Sequence, residues 1–139
     1  MRPAGAIELP DGSIVTGKTS DLLGASSAAL LNALKAIAKI DDSKLLIERE
    51  VIEPIQMLKT DILGNHNPRL HTDEVLIALT MSAVTSEAAK QAFLSVHTLN
   101  GSEAHSTVIL SQVDRDTFRK LGINLTCEPQ HESKKLYHK

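Results

Sequence analysis

Ser13-Ile14-Val15-Thr16-Gly17-Lys18-Thr19-Ser20-Asp21-Leu22-Leu23-Gly24 runs into Ala25-Ser26-Ser27-Ala28-Ala29-Leu30-Leu31-Asn32-Ala33-Leu34-Lys35-Ala36-Ile37-Ala38-Lys39-Ile40, and the reading of these 28 residues decides the fold. In the second half the polar side chains beyond the first turn are Asn32, Lys35 and Lys39, one narrow stripe at helical spacing, while leucine, isoleucine and alanine fill the rest. Such a helix needs cover over most of its circumference. Its alanines favour helix and allow close approach of a neighbour, which predicts the central packing element of the domain.

Outward from it on the N-terminal side, Ile14-Val15-Thr16 is rich in β-branched residues and Pro10-Asp11-Gly12 is a turn signature between that run and the alternating Ala6-Ile7-Glu8-Leu9. A β-hairpin is expected. On the other side, Asp41-Asp42-Ser43 breaks the helix, and Leu45-Leu46-Ile47 reads as a short buried strand. Val51, Ile55, Leu58 and Ile62 recur at helical spacing up to Gly64, a C-terminal cap, with Pro54 an obstacle to the first turns. Thr72 is expected to cap a helix with Asp73 and Glu74 in its first turn. Val75 to Val84 is apolar nearly all round and is therefore expected to be buried. Thr85-Ser86-Glu87 starts another helix whose face is Ala89, Ala92, Phe93 and Val96. Glu103 to Leu110 reads as a strand, Ser111 with Asp114 as a capping-box-like helix start, Gly122 as its end, and Ile123, Leu125 and Cys127 as one face of a last strand. The pattern predicts an α/β domain over 1–129, a mixed sheet of four or five short strands with an N-terminal hairpin and helices on both faces, followed by a polar, basic tail over 130–139.

Composition narrows the functions. The 139 residues carry a formal charge of −2, one Tyr, two Phe and no Trp, so neither the basic surface nor the stacking platforms of a nucleic-acid binder are present. A single Cys leaves no internal disulfide and no multi-thiolate zinc site, and no apolar run reaches the length of a membrane span. The expectation is a cytoplasmic protein that meets neither nucleic acid nor membrane and calls for no metal or cofactor.

Several separate stretches, Glu8-Leu9-Pro10-Asp11-Gly12, Thr16-Gly17-Lys18-Thr19-Ser20, Val51-Ile52-Glu53-Pro54-Ile55-Gln56, Asn67-Pro68-Arg69-Leu70-His71-Thr72-Asp73-Glu74, His105-Ser106-Thr107-Val108-Ile109-Leu110-Ser111 and Leu121-Gly122-Ile123-Asn124-Leu125-Thr126-Cys127-Glu128-Pro129, together resemble the C-terminal part of the bacterial domain-of-unknown-function 1846 family. The resemblance implies that the chain is one portion of a much longer protein, with the remainder of that protein as its partner. It also implies a three-layer subdomain of a topology compared with cytidine deaminases, and some members carry the label of an ATP-dependent peptidase. The deaminase zinc signatures are absent, since His71 is followed by Thr72-Asp73 and Cys127 stands alone.

Gly12 to Thr19 matches the P-loop pattern letter for letter. Its context argues against a nucleotide cradle, because Gly12 belongs to a turn and Ile14-Val15-Thr16 to a strand. A weaker form of the same idea is an anion site formed by Lys18, Thr19, Ser20, Ser26 and Ser27 around a helix N-terminus. His71, Asp73, His105 and Cys127 are the remaining side chains with catalytic potential, each with an ordinary structural explanation. The leading expectation is a module for interdomain or subunit assembly that completes a ligand site. A nucleotide-dependent or hydrolytic enzyme domain is the alternative. Two nearly all-apolar helices on so small a sheet further predict a homo-oligomer, or an exposed apolar patch where a missing domain docks.

Overall fold

A computed structural model describes residues 3–128; the tail at 130–139 lies outside them. The elements are β1 (Ala4–Glu8), β2 (Ile14–Lys18), α1 (Ala25–Ala38), α2 (Arg49–Met57), α3 (Thr72–Ser82), α4 (Glu87–Leu94), β3 (Glu103–Ser106), α5 (Gln112–Leu121) and β4 (Asn124–Cys127). None of these helices is long and apolar enough to cross a membrane.

The hairpin forms as its turn chemistry requires. Leu9 and Ser13 close it by a 2.8 Å backbone bond, and Gly12 takes φ +90°, open to glycine and strained for any bulkier residue. The Asp11 carboxylate accepts from the Ser13 amide and hydroxyl, an Asx turn that fixes the corner.

The sheet order is β2-β1-β3-β4, with β1 antiparallel to both neighbours and β3 parallel to β4 through the α5 crossover. Three strands, β2, β3 and β4, therefore run the same way and end at one edge. In the register Gly5 lies beside Gly17 and Ser106, and Ile7 beside Val15 and Ala104. That face is covered by α1 and α5. The other face carries Glu8, Thr16, Lys18, Glu103, His105, Asn124 and Thr126, all exposed, which is the pattern of a solvated antiparallel face.

The expected third layer on that side is absent among the described residues. Three tiers do exist, but the sheet is the outermost: α1 lies on β1 and β2, and α3 and α4 pack on the far side of α1. Alanine makes this possible, because Ala29, Ala33, Ala78, Ala89 and Ala92 are all buried at the close contacts. Gly17 matters for the same reason: a Cβ there would lie 2.6 Å from the Ala25 carbonyl oxygen and closer still to the Ala29 backbone.

Other boundaries differ from expectation for local reasons. Leu46 and Ile47 enter the core from a bend rather than a strand, after an Asx turn at Asp41. The helix read over 51–62 starts at Arg49 with Pro54 on its exposed side, then widens into a π-helical turn over Leu58–Ile62 closed by Leu63 N–H to Leu58 O, 2.9 Å. Strand β3 stops at Ser106 because its hydroxyl donates to Val108 O (2.7 Å) and accepts from Val108 N (3.2 Å), bending the chain out of the ladder. Val108-Ile109-Leu110 is consequently a loop. Finally α3 is not buried all round: Val75, Ala78 and Leu79 face the core, whereas Ile77 is 59% and Met81 55% exposed.

Candidate functional site

In open α/β sheets the carboxyl ends of the strands, where the following helices begin, form the natural crevice. Here that edge holds a pocket of about 390 Å³, lined by Thr19 after β2, the first residues of α1 (Gly24, Ala25, Ser26), the loop 66–71 leading into α3, Ser106 at the end of β3, and Ser111 and Asp114 at the start of α5. Three helix N-termini meet around it. Each is finished differently.

The α5 start is capped from within, Ser111 Oγ accepting from the Asp114 amide at 3.3 Å, as its spacing foretold. The α3 start is capped from outside. Its N-cap residue is His71, not Thr72; Thr72 is the first helical residue, fully buried, and gives both its amide (2.9 Å) and its hydroxyl (2.7 Å) to Asp114 Oδ1. Glu74 reaches back to the His71 amide at 2.8 Å, and the same carboxylate oxygen takes a 2.7 Å ion pair from Lys59, which the π-helical turn delivers into the interior. Lys59 also donates to Arg69 O at 2.6 Å. The buried ammonium thus has a carboxylate and a carbonyl as acceptors.

The α1 start has no side-chain cap, because its N-cap residue is Gly24 and its first turn carries no acid. The loop before α3 is nonetheless tied to it: Ser27 Oγ donates to Leu70 O at 2.9 Å, and Leu22 and Gly24 bond to Leu70 along the backbone.

His71 and Asp114 face each other, Nδ1 to Oδ2 at 3.4 Å. The Asp114 hydrogen bond, with its charge, holds the imidazole above its ordinary pKa against the opposing effect of burial. Burial pushes Asp114 up, but the hydrogen bonds from His71 and from Thr72 outweigh it and leave the carboxyl below the ordinary value. The pair is therefore a stable imidazolium–carboxylate over the mildly acidic range. Among the described residues Nε2 of His71 has no hydrogen-bond partner, and His71 is part of the pocket lining.

The residues singled out in the sequence separate accordingly. Thr19, Ser26 and His71 line the pocket. Ser27 lies beside it, committed to Leu70. Lys18 points with Thr16 to the open sheet face, and Ser20 turns its hydroxyl to the Leu22 and Leu23 amides. Asp73 is exposed on the first turn of α3 and bonds its neighbour's amide. His105 sits on the open face between Thr126 and Glu128, 2.8 Å from each, while Cys127 is half-buried on the opposite face of the adjacent strand. The four catalytic candidates do not share a site. Nor is Gly12–Thr19 a phosphate cradle, since Ile14–Lys18 is fully paired with β1. Arg69 and Asp114 were missed. Arg69 lines the pocket with Nε bonded to Ser20 O (2.6 Å) and its terminal guanidinium nitrogens without a partner among the described residues; nothing in its local sequence distinguishes it from a loop arginine.

Comparison with known proteins agrees with the resemblance. The chain is 54% identical over 138 residues to a UPF0371 protein of Streptococcus pyogenes serotype M5 (strain Manfredo), covering 99% of this chain and 28% of that protein. It is 56% identical over 137 residues to a UPF0371 protein of Corynebacterium glutamicum (strain R), again 99% of this chain and 28% of the relative. It thus spans little more than a quarter of the length of these curated relatives. With residues 1–137 matching the model of the C-terminal domain of unknown function DUF1846, the chain belongs to that family.

Proposed function

We propose that the chain is the C-terminal module of a longer protein, held to the remainder through the outer face of α3 and α4 while the strand-edge pocket supplies part of a ligand site. The observation that carries this is the exposure of Ile77 and Met81, one turn apart on α3, beside Phe93 of α4. Between the two helices Leu76, Ile77, Thr80, Phe93 and Val96 line an apolar groove of about 170 Å³. Large apolar side chains gathered in this way mark an interface rather than scattered surface residues. The occupant is the remaining length of the protein, because relatives at more than half identity are between three and four times as long, the chain covering 28% of them.

The test is to produce the remainder of such a parent separately and mix it with this chain. A stable one-to-one complex in sedimentation is expected. A chain that ignores the remainder and forms a concentration-dependent dimer, lost on Met81→Glu, would replace interdomain docking by self-association; a chain that does neither would overturn the assembly role.

One observation favours a second reading, an enzyme domain: His71 sits in the pocket with its Nδ1 held by Asp114 and its Nε2 unengaged. A substrate proton within reach of Nε2 would make it a general acid or base. Turnover by the assembled protein lost on His71→Gln, with substrate binding retained, would decide for it.

A further inference from the structure

We propose that the strand-edge pocket binds a small phosphorylated molecule, its phosphate seated at the N-terminus of α1 between Ser26 and Arg69. The inference rests on the reading of this pocket as a ligand site and is independent of what docks on α3 and α4. The amides of Ala25, Ser26 and Ser27 have no carbonyl four residues back within the helix, and Gly24 offers no side chain to take them. Unfilled amides at the positive end of a helix dipole favour an anion.

Ser26 supplies the independent indication. It is only 7% exposed, it lines the pocket, and its hydroxyl bonds to no described residue. Ser82 and Ser102 are also unpartnered, but their hydroxyls are sealed in the interior; Ser26 lines the pocket, where a ligand oxygen would satisfy its hydroxyl. Arg69 approaches from the facing loop with its Nε already fixed on Ser20 O and its other nitrogens unengaged, which is the pre-organised fork that phosphate recognition uses. His71 adds a cation when protonated. The one carboxylate in the lining, Asp114, has both oxygens occupied, by Thr72 and by His71.

The donors fix the class of ligand. Three amides at the start of α1, with a hydroxyl and a guanidinium in the pocket lining, are more donors than a planar carboxylate needs and suit the three oxygens of a phosphomonoester. The volume of about 390 Å³ suits a small metabolite, and the lining has no Phe, Tyr or Trp on which a nucleobase would stack.

Isotope-labelled chain titrated with inorganic phosphate, and in a second arm with acetate, tests this by amide chemical shifts. Phosphate should move the amides of Ala25, Ser26 and Ser27 in a saturable way, Arg69→Met and Ser26→Ala should each weaken it by roughly tenfold, and Lys18→Ala should leave it unchanged. Wild-type mapping needs no variant to fold, and Arg69→Lys, which keeps the charge but not the fork, should weaken binding in a chain of unaltered spectrum. Shifts that are absent, that follow Lys18 and the sheet face, or that acetate reproduces at the same amides with equal affinity would overturn the proposal.

Discussion

Helices α1 and α3 look alike as sequences and differ as parts of the molecule. Both are short of polar residues over most of their circumference, yet α1 is enclosed between the sheet and the α3–α4 tier, with Leu30 and Leu34 at 0% exposure, whereas α3 is enclosed on one side only. The difference lies in what each can rest against. α1 is clad in alanines and meets Gly17 of β2, so the sheet on one side and the α3–α4 tier on the other come close to its backbone. α3 has β-branched, leucine and methionine side chains, and on its outer flank Ile77 and Met81 stay more than half exposed.

The enclosure of α1 is most vulnerable at Gly17. Gly17→Ala places a methyl group against the backbone of α1, where no side chain can move aside, and should destabilise the chain by about 3 kcal/mol or more, read by denaturant melts. A cost below about 1 kcal/mol would mean that α1 is not held so tightly.

A matched pair of truncations sharpens it. Leu34→Ala in α1 should cost about 3 kcal/mol, while Ile77→Ala in α3 should stay within about 0.5 kcal/mol in the isolated chain. Equal costs would show that the outer face of α3 is covered in solution, by a second copy if the midpoint also depends on concentration.

Much of this was legible in the residues. The hairpin, the enclosed α1, the Ser86 and Ser111 caps and the Gly122 terminus each follow from local chemistry that tertiary contacts did not override. What escaped was everything decided by a distant partner. Thr72 looks like a cap, but a carboxylate 42 positions away performs the capping and moves the N-cap to His71. Val108-Ile109-Leu110 has strand composition, but the Ser106 hydroxyl diverts it. The pocket was half visible: a helix N-terminus with Ser26 could be read, whereas Lys18 fell on the wrong face by the alternation of β2, and Arg69 and Asp114 are brought in by the fold alone.

A smaller effect separates the polar end of α3 from its apolar flank. His71 has its pKa raised and Asp114 has its lowered relative to ordinary values of 6.5 and 3.8. The groups that face His71 are Asp114 and Glu74, which raise it, and Lys59, which lowers it. The His71 contribution to stability is complete below 6.5 and is lost as pH rises through its folded pKa; that of Asp114 is present above 3.8 and is lost as pH falls through its folded pKa. Stability from the pair should therefore be flat between those two ordinary values and decline on either side. Asp114→Asn should remove both limbs, and nuclear magnetic resonance titration should find the His71 pKa lower in that variant than in the wild type. An unchanged His71 titration would show that Asp114 does not hold the imidazole.

If the uncovered flank of α3 is an interface, one variant should disable it and leave the rest of the domain undisturbed. Ile77→Glu combined with Met81→Glu places two carboxylates on side chains already more than half exposed, so the melting midpoint of the isolated chain should hold. Its affinity for the separately produced remainder of the parent, measured by calorimetry, should fall by about 100-fold or more, as two carboxylates would be buried without partners. Undiminished affinity in a variant of wild-type stability would show that the remainder does not dock on this flank.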